Sequence, residues 1–182
     1  DSELIRDHNF RAIYGNWAYL KTYLRDKYGK YKLAYLSYNA GKRESYRLVG
    51  DVLLTETDIR CKVNYPDAIV TTTWGIDLHY PDKQNSRYFP GQEFIAYAIH
   101  PNKRKEDYTF PYRCLYSRNI ENLFMAGRNI SVTHIALGAI RVQRTGMMGE
   151  VVGMAAYLCM KYRCSPRQLY TDYLQELLDC VS

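Results

Sequence analysis

Two clusters in the chain carry more polar equipment than folding requires. The first is MAGRNISVTHIALGAIR, residues 125–141. A buried strand leading into a helix needs only a small residue at the turn and a capping residue. Here Gly127 is followed at once by Arg128, then by Ser131, Thr133 and His134, with Arg141 one turn into the expected helix. Unpaired N–H groups at a helix N-terminus, with about half a positive charge, suit an anion or a polarised ring. Arg128 offers a bidentate donor for phosphate or hydroxyl oxygens, and Gly127 removes the side chain that would block approach. A buried Arg paired with a sheet carboxylate would read the same way. The second cluster is AIVTTTWGIDLHY, residues 68–80, where Trp74, Ile76, Leu78 and Tyr80 alternate with Gly75, Asp77 and His79. That pattern predicts one strand whose polar face carries an acid and an imidazole two residues apart; an ordinary polar strand face is the alternative. Neither histidine has the company that a metal site needs.

The elements that must position these groups are legible in outline. NFRAIYGNWAYLKTYLRDKYGKY has helical spacing at Trp17, Leu20, Tyr23 and Leu24, with Gly29 as a stop. The KLAYLSYNA stretch and residues 46–54 read as strands. Thr55 and Asp58 form a capping box for a short helix, with Asp where Glu is usual. Residues 81–111 read as a loop-rich hairpin region interrupted by EFIAYAIH. Residues 122–126 read as a short buried strand, and residues 136–162 as one long helix with Gly138, Gly146, Gly149, Gly153 and Ala156 on or near one face. Each glycine inside a helix costs up to about 1 kcal/mol relative to Ala, so the series implies close approach of a sheet, a helix or a flat ligand. Ser165 and Pro166 open a terminal amphipathic helix.

Composition narrows the classes. The 182 residues are 47% hydrophobic and 24% charged, proportions of an ordinary globular protein. No run of 18 apolar residues occurs, so neither a membrane span nor a membrane partner is expected, and no basic-then-apolar leader opens the chain. The net charge is +6, yet the sharpest basic cluster, NKRKED at residues 102–107, ends in acids behind a proline and reads as a solvated loop, so no nucleic-acid partner is expected. Five cysteines, Cys61, Cys114, Cys159, Cys164 and Cys180, lack zinc spacing and read as structural thiols. Cys159 and Cys164 bracket a helix end. Free cysteines favour a cytoplasmic location over export, although a removed leader would leave no trace. Arg43, Glu44 and Arg113 read as internal ion-pair members or pocket residues, and 19 tyrosines suit a sheet, an interface or a sugar pocket.

The stretch NLFMAGRNISVTHIALGAIRVQRTGMMGEVVGMAA resembles the C-terminal flavin-binding segment of FAD-dependent oxidoreductases of the glutathione-reductase-like superfamily, the bacterial FAD-dependent oxidoreductases above all. AGKRESYRLVGD, YPDAIVTTTWGIDLHYP and FPYRCLYSRNIENL are similar to later blocks of the same family, in order, so that the resemblance runs over residues 16–178. It implies an α+β fragment, with a strand-rich substrate part and the closing strand and long helix of a Rossmann-type FAD-binding domain. The implied divisions are residues 1–112, 113–164 and 165–182. FAD is the implied cofactor, bound in part by Gly127, Arg128, Ser131, Thr133, Gly138 and Arg141. The resemblance places His134 in the loop that approaches the flavin, and His134 and the strand-face pair Asp77 and His79 are the catalytic candidates toward a small-molecule substrate. The helix near Gly138 would aim at the flavin edge that gains negative charge on reduction.

The chain departs from the family in having no GxGxxG turn. It therefore resembles the C-terminal portion alone, and it implies a partner, the N-terminal FAD-binding region of a parent chain, in which catalysis would reside. Some members of the family are labelled xanthan lyase, which makes a polysaccharide lyase one alternative; a non-catalytic binding module without cofactor is the other.

Overall fold

Aromatic and aliphatic residues at helical spacing carry the N-terminal part into α1 (Ser2–Tyr23) and α2 (Arg25–Tyr28). The fold is taken from a computed structural model that describes residues 2–39, 41, 46–81, 95–99, 107–140 and 142–181. Two compact units divide the chain, Asp1–Arg43 and Glu44–Ser182.

In the first unit Gly29 ends α2, as its position predicts. Lys21 Nζ donates to the carbonyls of Tyr28, Gly29 and Tyr31 at 3.4, 2.6 and 3.0 Å, which satisfies oxygens left over at the helix end. No residue of α1 is buried. Residues 31–37 carry no regular secondary structure, so the strand expected in KLAYLSYNA does not form. A groove of about 290 Å³ runs between α1 and residues 36–39 with Gly41. There the Arg6 guanidinium lies 4.4 Å from the Tyr38 ring centroid and also pairs with Asp7.

The second unit mixes helices with small two-stranded sheets, as expected of an α+β chain. Thr55 caps α3 (Glu56–Cys61) with the full reciprocal box: the Thr55 hydroxyl accepts from the Asp58 amide, and the Asp58 carboxylate accepts from the Thr55 amide at 2.7 Å. Strands β1 (Ala68–Thr72) and β2 (Leu78–Pro81) are separate, and each belongs to a different sheet. β2 pairs antiparallel with β3 (Ile95–Ile99), inside EFIAYAIH, and β1 pairs antiparallel with β4 (Tyr108–Pro111). The single strand predicted over residues 68–80 is thus broken at residues 73–77. There the Trp74 carbonyl accepts from the Tyr108 hydroxyl, and the Asp77 amide donates to Gly138. Backbone groups that a ladder would use are committed elsewhere.

Residues 46–54 do not form a strand either. They thread beside residues 129–133, with a single parallel bridge between Leu54 and Val132. The Leu48 and Leu54 amides donate to Asn129 and Ser131, and the Thr133 amide donates to Leu54. The expected strand at residues 122–126 is reduced to one antiparallel bridge between Phe124 and Tyr116.

The predicted long helix is two helices, α4 (His134–Leu137) and α5 (Val142–Tyr162). Between them the amides of Gly138, Ala139 and Ile140 reach back only three residues. The Gly138 carbonyl accepts from Asp77, and the Ile140 carbonyl accepts from Arg128 at 3.4 Å, so both are drawn off the helical ladder. One face of α5, carrying Met148, Val151, Ala155 and Leu158, is buried in the core with Val70, Phe110, Tyr112 and Leu115. α6 (Pro166–Val181) supplies Leu169 and Leu177 to the same core. Ser165 caps α6 as predicted. Its hydroxyl accepts from the Gln168 amide, and Gln168 Oε1 accepts from the Ser165 amide.

Candidate functional site

The turn at Gly127 is built around a left-handed backbone, φ 97°, that favours glycine. The Met125 amide donates to Leu115 at 2.7 Å and fixes the chain just before it. Arg128 follows, half-buried, with its guanidinium reaching the Ile140 carbonyl. That contact ties the turn to the end of the α4–α5 connection. Ser131 is fully buried, held by its amide on Cys114 and by its carbonyl under Leu54. Its hydroxyl has no hydrogen-bond partner among the described residues. Thr133 occupies the cap position of α4 without a side-chain cap bond, and His134 opens that helix, exposed to solvent.

Gly138 joins the two sequence clusters. A Cβ built there would lie 2.7 Å from the Asp77 carbonyl oxygen and 3.0 Å from its nitrogen. Only glycine permits this approach, and the Asp77 amide bonds the Gly138 carbonyl at 3.2 Å. Asp77 and the segment from His134 to Gly138 are therefore brought together, backbone on backbone. His79 lies on β2 opposite Ala98, on a different element from the one carrying Asp77. The side chain of His79 lies outside the described residues, as do Arg43, Glu44, Arg141 and most of the basic cluster at residues 102–107.

The glycines of α5 behave differently from Gly138. Cβ atoms built at Gly146, Gly149 and Gly153 meet nothing within 4 Å. This face is exposed, and it continues into Tyr157 and Met160, 59% and 80% exposed. The close approach expected from the glycine series is not made by the described residues of this chain. The glycine turn at Gly127 and the Arg128 guanidinium beside it have the chemistry to take the anionic part of a cofactor such as FAD, and the glycine face of α5 is a separate, side-chain-free surface.

Of the two readings open for Arg113, the structure supports the internal ion pair, whereas its partner Asp67 and the Asp51–Arg167 tie escaped the sequence reading. Arg113 makes a bidentate pair with fully buried Asp67, at 3.0 and 2.8 Å, and its amide adds a third bond at 2.9 Å. The guanidinium stacks by Tyr170 and Tyr65, at 4.8 and 6.0 Å. Arg113 is therefore an internal ion-pair member. Asp51 accepts from Nε and Nη2 of Arg167 at 2.7 and 2.6 Å and from the Tyr116 hydroxyl at 2.8 Å. Chiefly through Arg167, its carboxyl is held below the usual range. Gly50 sits between them: its Cβ would strike the Arg113 carbonyl oxygen at 2.4 Å. No local motif marks these groups, because their partners lie tens of residues away.

Among the described residues no cluster of three or more His, Cys, Asp or Glu is placed to hold a metal, and no helix is long and apolar enough to cross a membrane. A comparison with family models matches residues 2–178 to the model described as FAD dependent oxidoreductase. Neither the curated proteins nor the solved structures gave a match.

Proposed function

The chain belongs to the FAD-dependent oxidoreductase family, whose cofactor is FAD, and from that premise we propose that it forms one wall of the FAD site and the substrate side of an enzyme that oxidises a small organic molecule. Bound FAD supplies a two-electron acceptor that takes a hydride from the substrate. Residues 113–164 make the C-terminal FAD-binding segment, with the Tyr116–Phe124 bridge and α5, residues 1–112 the substrate side, and residues 165–182 a terminal helix. Gly127, Arg128, Ser131, Thr133, Gly138 and Arg141 line the cofactor, with Arg128 pairing with its anionic part.

His134, exposed at the start of α4, accepts a proton from the substrate hydroxyl or amine at an imidazole nitrogen. Asp77, fixed over Gly138, and His79 complete the substrate contacts. The glycine-rich turn that this sequence lacks comes from an N-terminal FAD-binding region of the parent chain, which packs on the open glycine face of α5. That face carries the reading, because no described residue lies within 4 Å of a Cβ added at any of its three glycines.

A visible absorption spectrum of the protein joined to that region tests it. Flavin absorbance, weakened by Arg128→Ala, is the expected result; a colourless protein that takes up no added FAD overturns the proposal. His134→Ala should leave flavin bound while slowing its anaerobic reduction by the substrate roughly a hundredfold or more.

A further inference from the structure

The C-terminus of α5 turns through a left-handed residue that is not glycine. Arg163 has φ 52°. Two backbone bonds close around it: the Cys164 amide donates to the Cys159 carbonyl at 3.0 Å, and the Arg163 amide to the Met160 carbonyl at 3.4 Å. This pair of bonds is the Schellman motif, in which the residue two past the helix cap touches the third-last helical residue, usually as an apolar contact. Here both contact positions are cysteine. The two thiols are half-buried and reduced, and the Cys164 amide bond to the Cys159 carbonyl holds their backbones at the paired contact positions of the motif.

We infer that Cys159 and Cys164 form an oxidisable dithiol, a modification site that a peroxide closes to a disulfide across the α5 cap. One sulfur attacks a peroxide oxygen; the O–O bond breaks, water leaves and a sulfenic acid remains. The second sulfur then attacks the sulfenyl sulfur. The S–S bond forms, the S–O bond breaks and a second water carries off the hydroxyl with the remaining thiol proton. Two thiols are oxidised by two electrons and one hydrogen peroxide is reduced to two waters.

The other cysteines lack this arrangement. Cys114 is buried and donates to the Val52 carbonyl, which makes it inert, while Cys61 and Cys180 are exposed on α3 and α6. Burial, with the neighbouring Cys164, pushes the Cys159 thiol up to about 12, so the attacking thiolate is scarce and closure by peroxide is slow. Closure has a structural consequence. Ser165 and Pro166 follow directly, and α6 is tied to residues 46–54 through Arg167 and Asp51. A disulfide in the cap fixes the corner from which that tie extends.

The test treats the native 182-residue chain with hydrogen peroxide, alkylates the remaining thiols and maps proteolytic peptides without reductant. The expected result is loss of two of the five free thiols, with the Cys159 and Cys164 peptides linked, lighter by two hydrogens and separated again by dithiothreitol. Recovery of both cysteines as alkylated thiols while Cys61 or Cys180 is oxidised overturns the proposal, as does equally selective linkage in the denatured chain. In Cys164→Ser the link must vanish and Cys159 must stop at the sulfenic or sulfinic acid; a persisting Cys159 crosslink in that variant also overturns it.

Discussion

Gly138 and Gly149 lie eleven residues apart along one sequence block, yet they ask opposite things of a side chain. At Gly138 a methyl group would meet the backbone of Asp77 at 2.7 Å, and backbone cannot swing aside as a side-chain tip can. Gly138→Ala should therefore cost about 1–3 kcal/mol, read as a lowered urea midpoint. At Gly149 the same substitution meets nothing and removes the helix cost of glycine, so the isolated chain should gain up to about 1 kcal/mol. Arg113 is the residue whose loss should be felt most. Removing it leaves the fully buried Asp67 carboxylate without its guanidinium, and breaking a buried pair from one side costs about 3 kcal/mol or more. Arg113→Lys should restore only part, because an ammonium cannot make the bidentate pair or the stack on Tyr170.

Among the elements, α3 depends most visibly on its cap. Thr55→Ala removes one half of the reciprocal box and should cost about 1 kcal/mol in a thermal or urea melt. α6 depends on a longer reach. Because Arg167 and Tyr116 hold the Asp51 carboxyl below its ordinary range, this tie stabilises the fold above the usual carboxylate range, and its contribution is lost as pH falls through the depressed value. The acid limb of a stability–pH curve below about pH 4 should flatten in Asp51→Asn. The Thr55–Asp58 capping box and the Ser165 cap were legible because their bonds close within four residues, although the part Gln168 plays at Ser165 was not read. The split of residues 136–162 into α4 and α5 was not. It follows from Asp77 and Arg128 capturing two helical carbonyls from other parts of the chain, which no local periodicity records. The break between β1 and β2 has the same cause seen from the other side. For the candidate site, the glycine turn and its Arg were readable as types at a spacing, whereas the docking of Asp77 on Gly138 is a tertiary contact between two segments read separately.

On the scale of the whole molecule, the main asymmetry is between the two faces of α5. One face is part of the core; the other presents Gly146, Gly149, Gly153, Tyr157 and Met160 to solvent at spacings of three and four residues. A helix this exposed has no folding reason to carry glycine, since each one weakens it. Close packing against a separate backbone supplies the reason, and under the proposed function that backbone belongs to the FAD-binding region. Gly149→Leu separates the two states. In the 182-residue chain the added side chain meets none of the described residues, so the melting temperature should hold or rise. Joined to the FAD-binding region, the same leucine would stand in a packed interface, where overpacking costs about 1–3 kcal/mol, equivalent to flavin affinity lower by about ten- to a hundredfold. A titration of the apoprotein with FAD reads this directly. Unchanged flavin affinity in Gly149→Leu would show that the glycine face stays open in the assembled protein, and the family's cofactor would then have to be held without α5 as a packed wall.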